Sequence, residues 1–329
     1  MIKVGFITSP LHDANAARGV GSYTRRLLER LKVQSSRFNI EILEIKNDHE
    51  LQTMNYELVH YPYFDLFRHT LPIFNKSKIV VTLHDVIPLE FPDHYPPGLR
   101  GRLNLQLQKL ALANVERVIT VSYASVQAIR KYLLVPHAKL KLVYEAADPM
   151  FKKISKPKNK YHLPKKFVLY VGDVNWNKNI PNLVKACEQI NYPLVIVGKQ
   201  ATEVEKLDLN HAELRHLQGV DWSAVIRSGF VADEDLVHIY NLATVYCQPS
   251  LSEGFGLPVV EALACGTPVA CSNTSSLPEI AEDNATYFNP YDVDDMSQAI
   301  INAKPPQSKP MFSWEETAKL TLMVYREIL

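Results

Sequence analysis

Gln248-Pro-Ser-Leu-Ser-Glu-Gly-Phe-Gly-Leu-Pro-Val-Val-Glu-Ala-Leu-Ala-Cys-Gly-Thr-Pro-Val-Ala-Cys271 decides the fold of this chain. It reads as a buried strand over 245–248, a loop, a short helix, a tight exit and another strand. Pro258 falls where a first-turn proline is tolerated, Gly266 where a helix ends, and Pro268 just beyond. Val259, Val260, Ala262, Leu263 and Ala264 leave that helix no wet face, which predicts burial. Glu261 lies inside it all the same. Even a neutral polar group so placed costs about 2–7 kcal/mol unless something satisfies it. No cation lies along the helix, so the partner is a distant side chain or the hydroxyls of a ligand. Glu253 stands just ahead of the helix among Ser252, Gly254 and Gly256. Glycines there admit a close backbone or ligand and leave the amides before the helix free for an anion.

Glu253-Gly-Phe-Gly-Leu-Pro-Val-Val-Glu261 resembles the E-x7-E signature of the retaining glycosyltransferases of family 4, which have the GT-B fold. Each glutamate taken singly also fits a structural carboxylate paired with a distant Arg or Lys. The resemblance extends to bacterial polysaccharide and lipopolysaccharide mannosyltransferases, through His84-Asp85-Val-Ile-Pro88. It implies an α/β chain of two Rossmann-like parallel-sheet domains facing a cleft, with a C-terminal helix crossing back to the first domain. It further implies that Glu261 takes the ribose hydroxyls of a nucleotide sugar. Glu253, with Gly254 and the amides of Phe255, Gly256 and Leu257, takes the sugar hydroxyls and the phosphate.

Composition agrees with two soluble domains. The chain has 329 residues, 47% apolar and 22% charged, and single cores rarely grow beyond about 250–300 residues. No apolar run approaches the ~18 residues of a membrane span, and the N-terminus reads as a first strand rather than a signal peptide. Cys187, Cys247, Cys265 and Cys271 lie in apolar surroundings without C-x2-C spacing, as reduced core residues of a cytoplasmic protein would. The net charge of +1 hides an asymmetry. Through residue 155 there are 21 Lys and Arg against 14 Asp and Glu; beyond it, 15 against 21. A basic first half suits an anionic acceptor or an anionic membrane surface, and scattered solvated lysines account for it equally.

Strand-like runs over 2–8, 39–45, 57–61, 78–83, 117–121 and 139–144 alternate with helical patterns, which argues a parallel sheet covered by helices. Residues 1–151 are expected to form the acceptor-side domain. Residues 152–166, rich in lysine, form a linker, residues 167–310 a nucleotide-sugar-binding domain, and residues 311–329 the returning helix. Arg18-Gly19-Val20-Gly21 after the first strand lacks the third glycine of a dinucleotide fingerprint. Gly19 and Gly21 resemble instead the glycine loop with which family 4 enzymes approach the donor diphosphate; a plain tight turn is the alternative. His84 closes a predicted strand, at the end where open sheets place ligands, and the resemblance sets it near the donor sugar.

In the second half, Lys178 resembles the family lysine on the diphosphate, and Asn177 stands beside it. Many relatives carry an arginine where this chain has Asp173 or Asn177, so backbone amides, asparagines or another cation must make up that charge. Asp292-Val-Asp294 at a predicted helix start reads as an N-cap rather than a metal site. The implied reaction is metal-independent, retaining transfer of a hexose from a GDP-sugar or UDP-sugar to a glycan or lipid-linked acceptor. Mannose is favoured, Glu253, His84 and Lys178 carry the chemistry, and neither cofactor nor nucleic acid is involved. The expected place is the cytoplasm, with peripheral contact on the inner face of the membrane through Arg100, Arg102 and Lys109 on one helix and Arg25, Arg26 and Arg30 on another. A non-catalytic glycosyltransferase-like partner subunit and a glycoside hydrolase using both glutamates are the other readings.

Overall fold

A computed structural model describes residues 1–12, 19–47, 50–51, 54–74, 76–308 and 312–329. Arg18 and the expected boundary between residues 310 and 311 lie outside the described residues. The chain divides into two compact units. One comprises Met1–Pro92, Pro96–Ala146 and Phe312–Leu329; the other comprises Asp93–Tyr95 and Ala147–Met311.

The first unit holds β1 (Ile2–Ile7), β2 (Ile40–Ile45), β3 (Leu58–Tyr61), β4 (Lys78–Thr82), β5 (Arg117–Thr120) and β6 (Leu140–Leu142). They form one parallel sheet in the order β2-β1-β3-β4-β5-β6. The helix Trp314–Ile328 belongs to this unit. Its Trp314, Ala318, Leu322 and Tyr325, spaced for one helical face, share a core with Tyr23, Leu27 and Leu31 of the helix Gly19–Gln34. Ser313 caps its start, accepting from the Glu316 amide at 3.2 Å, and Arg30 pairs with Glu315 at 3.3 Å.

The second unit holds β7 (Val168–Val171), β8 (Leu194–Val197), β9 (Val225–Gly229), β10 (Val245–Gln248), β11 (Val269–Ser272) and β12 (Thr286–Phe288). Their order is β12-β11-β10-β7-β8-β9, again parallel. Strands buried on both faces carry continuous apolar runs, as Val168-Leu-Tyr-Val171 and Leu194-Val-Ile-Val197 do. Their side chains alternate between two cores: Val168 and Tyr170 enter one, Phe167 and Leu169 the other. Counted within the unit, this is the dinucleotide-fold order, and the winding reverses between β7 and β10. Loops leaving the carboxyl ends of two such strands diverge and open a crevice. Two helix-covered parallel sheets with the last helix returned to the first unit make the GT-B architecture that the resemblance implied.

The structure differs from the sequence reading in three places. Residues 152–166 are not free of the second unit: Leu163 is buried in its core, and Ile154, Lys158 and Lys160 bond to Asn241, His238 and Asp235. Gly19 and Gly21 stand in the first turn of a helix rather than in a loop. Arg26 is buried and Arg30 is paired, so the cations of the helix Gly19–Gln34 do not form a free basic face.

Candidate active site

Asn177, Lys178, Glu253 and Glu261 belong to the second unit, the first three on the loops leaving β7 and β10 and Glu261 on the helix Leu257–Ala264, whereas Gly19, Gly21 and His84 belong to the first. Lys178 ends a 3-10 turn, Trp176–Lys178, in the loop that leaves β7. Asn179 follows in the left-handed region at φ 55° and anchors the turn, its Nδ2 donating to the carbonyls of Pro249 and Pro290 at 3.2 and 2.7 Å. Asparagine tolerates that conformation better than most residues. Asn177 stitches this loop to the one leaving β10. Its carbonyl accepts from the Leu251 amide at 2.7 Å, and its Nδ2 donates to the Ser252 carbonyl at 3.0 Å. Tyr95 adds a hydroxyl bond to Asn177 Oδ1 at 2.6 Å.

The stitched loops set Lys178 against Glu253. Lys178 Nζ donates to both carboxylate oxygens, at 2.7 and 2.8 Å. Gln248 Nε2 and Ser250 Oγ donate to Oε1 at 2.8 and 2.7 Å. Only 21% of the lysine side chain and 11% of the glutamate side chain are exposed, so water screens the pair weakly. Ser275 clamps the backbone of Glu253 on both sides, accepting from its amide at 2.9 Å and donating to its carbonyl at 2.6 Å.

Gly256 precedes the helix Leu257–Ala264 at φ 108°, and a Cβ there would stand 3.0 Å from Leu277 Cδ2. Both the backbone angle and the neighbour therefore call for glycine. The helix is buried as its composition requires, with Val259, Val260, Ala262 and Leu263 each at most 3% exposed. Glu261 inside it receives the hydroxyl of Tyr240 on Oε2 at 2.9 Å. Burial first, and the Glu261 charge next, hold that phenol well above its usual range, so Tyr240 remains a donor. Burial, with the Glu253 charge after it, does the same to Tyr170, whose hydroxyl donates to the Asp173 carbonyl at 2.6 Å.

In the first unit, His84 follows β4 and is held on every side. Nδ1 lies 2.9 Å from Glu145 Oε1, Nε2 lies 3.1 Å from the Pro62 carbonyl, and its own carbonyl accepts from Ser125 Oγ at 2.9 Å. Asp292 caps the helix Val293–Asn302, accepting from the amides of Asp294 and Asp295. Among the described residues no three His, Cys, Asp or Glu side chains gather in a way that could hold a metal ion. The sequence reading missed Gln248, Ser250, Ser275, Tyr240, Tyr95 and Glu145. Gln248 alone carried a local signal, a polar residue ending an apolar strand.

A family model for Glycosyl transferases group 1 matches residues 151–318, half of the chain, and one for Glycosyltransferase Family 4 matches residues 43–151. The Serotype-specific mannosyltransferase WbdA of Escherichia coli is 30% identical over 281 residues, which cover 77% of this chain and 34% of that protein. The O-antigen chain mannosyltransferase B of Escherichia coli is 29% identical over 76% of this chain and 70% of its own length. The chain thus spans about a third of the length of the first of these relatives. Among solved structures, Anabaena HepE in complex with UDP-glucose superposes with a TM-score of 0.66 at 16% identity, covering all of both chains. Two units of parallel sheet and a family match that spans half of the chain and all six strands of the second unit lead to one assignment: the chain belongs to the group 1 glycosyl transferases.

Proposed function

We propose that the chain is a retaining hexosyltransferase that moves a sugar, mannose in first place, from a GDP-sugar or UDP-sugar to a glycan or lipid-linked acceptor. The observation that carries this reading is the Lys178–Glu253 pair at the reversal between β7 and β10. Family membership and the mannosyltransferase names of the relatives support the reaction class, and the UDP-glucose bound to HepE supports a nucleotide-sugar donor.

Sugar transfer leaves growing charge on a diphosphate and an electron-poor anomeric carbon, and both must be held by groups already in place. Lys178 and the amides ahead of the helix Leu257–Ala264 suit the diphosphate, with no metal needed. Glu253 suits the hydroxyls of the sugar, and Glu261, presented by Tyr240, those of the ribose. In the protein alone Lys178 and Glu253 neutralise each other. A donor entering between them gives the lysine a phosphate and the glutamate a set of hydroxyls, so neither partly buried charge is left without a partner. Retention follows if the leaving phosphate takes the acceptor's proton on the same face.

The first unit supports a peripheral site at an anionic bilayer. On the helix Gly98–Ala113, Leu99, Leu103 and Leu110 are 87%, 63% and 59% exposed and share one face, flanked by Arg100, Arg102 and Lys109. Such a ridge buries its leucines among acyl chains while its cations meet headgroups. No helix of the described residues is long and apolar enough to cross a membrane. A screen of GDP- and UDP-hexoses for acceptor-dependent release of the nucleoside diphosphate tests the reading. Release from such a donor is expected; hydrolysis of an aryl glycoside in place of any donor turnover would overturn it.

A further inference from the structure

Two histidines of the first unit, His60 buried and His84 part-buried, make opposite demands on their protons. His60 meets two hydroxyls, Tyr325 at 2.6 Å from Nδ1 and Thr82 at 2.8 Å from Nε2. A hydroxyl can give or take a proton, so a neutral ring with one N–H satisfies both contacts. Burial drives the same way, bringing the His60 pKa down to about 3. His84 has no such latitude. Its Nδ1 faces the carboxylate of Glu145 and its Nε2 faces the carbonyl of Pro62, at 2.9 and 3.1 Å. A peptide carbonyl only accepts, and an ionised carboxylate only accepts. A neutral imidazole would turn a lone pair on one of these oxygens.

We propose that Glu145 is a positioning residue that, together with the Pro62 carbonyl, keeps His84 doubly protonated and its ring fixed beyond the end of β4. His84 then serves as a fixed positive charge rather than as a base. Both of its N–H groups are spent on the protein, so what it offers a substrate is its charge.

The surroundings agree. Burial opposes the charged ring, but the hydrogen bond and charge of Glu145, the Pro62 carbonyl and the charge of Asp85 outweigh it, and the His84 pKa stands raised. The other titratable groups packed against the ring do not compete. Tyr23 meets it edge-on, with ring centroids 4.6 Å apart, and its buried phenol stays protonated. His60, on the adjacent strand β3 and bonded to Thr82 at the end of β4, stays neutral. Glu145 is itself 4% exposed, so its charge acts on His84 through little water.

The inference rests on the transferase reading only for what the charge is used for, and its test has two arms. In the first, ring nitrogen NMR on the full chain follows His84, identified by the resonances that His84→Gln removes. Both ring nitrogens should carry protons at neutral pH, and the titration midpoint should move to lower pH in Glu145→Gln, whose amide oxygen still accepts but carries no charge. A proton residing on Glu145 in place of Nδ1, or a midpoint that Glu145→Gln leaves unmoved, overturns the proposal. In the second arm, donor turnover is followed against pH. A raised pKa means the charged form is lost as pH rises through it, so turnover should fall on the alkaline side. Glu145→Gln should bring that fall to lower pH, and Glu145→Asp should restore part of the difference. A loss of kcat that is the same at every pH, with unchanged melting, would mark Glu145 as merely structural and refute the role. Protons on both nitrogens without any turnover by the parent protein would instead count against the transferase reading and leave the pair intact.

Discussion

Glu253→Gln separates the two halves of the proposed donor site. The carboxylate accepts from Lys178 on both oxygens and from Gln248 and Ser250 on one. An amide keeps one acceptor oxygen but turns an NH2 toward a donor, and it removes the counter-charge of Lys178. At an effective dielectric near 20, two unit charges about 4 Å apart interact by ~4 kcal/mol. Desolvation of these two largely buried charges offsets most of that attraction and leaves about 1 kcal/mol of it usable. A free diphosphate should therefore bind the variant no more weakly than the parent, and up to about fivefold more tightly. Turnover should move the other way. Losing a charged hydrogen bond to the sugar costs ~1.5–3 kcal/mol, or roughly 10–150-fold in rate. Glu261→Gln supplies the contrast, weakening diphosphate and nucleotide sugar together, because ribose is common to both. Calorimetry with GDP and UDP, accompanied by melting curves, gives the affinities, and nucleotide release gives the rates. Equal weakening of free diphosphate by both variants would show that the roles assigned to the two glutamates are wrong.

Other consequences follow from single contacts. Gly256→Ala places a side chain at φ 108° and against Leu277, so thermal unfolding should show a loss of about 1–3 kcal/mol; unchanged melting would mean that the loop relaxes freely. Tyr240→Phe removes the hydroxyl on Glu261, and a loss of ~1–3 kcal/mol should appear in stability, nucleotide affinity or both. If neither moves, Tyr240 does not present Glu261. Sedimentation with anionic vesicles at low salt should be cut by Leu103→Asp and reversed by added salt, and binding indifferent to both would rule out the leucine ridge.

How far the sequence could be read depended on distance along the chain. β10, the helix Leu257–Ala264 and β11 fall where their apolar runs, Pro258, Gly266 and Pro268 put them, because strand burial, a first-turn proline and a helix stop act over a few residues. The cap at Asp292 was legible for the same reason. The pairings within the site were not. Lys178 and Glu253 are separated by 75 residues, Tyr240 and Glu261 by 21, and His84 and Glu145 by 61. Which loops meet is set by strand order, and the reversal that makes β7 and β10 neighbours leaves no mark in either strand's composition. The cations of one helix misled in a similar way. Three arginines on the helix Gly19–Gln34 read as a basic face, but the packing of the helix Trp314–Ile328 supplied Glu315 to one of them, and another is buried. The three leucines of the helix Gly98–Ala113 became informative only once their exposure was known.

The central claim is that this chain transfers a sugar from a nucleotide donor with its configuration kept, using Lys178 and Glu253. Proton NMR of a reaction run in excess EDTA tests it most directly, since one spectrum reports the diphosphate released, the glycosidic bond formed and its anomeric configuration. The account predicts one diphosphate for each bond, retained configuration, turnover that survives the chelator, and loss of product with Lys178→Ala. Inverted configuration, product that requires Mn²⁺, or undiminished transfer by Lys178→Ala would contradict it.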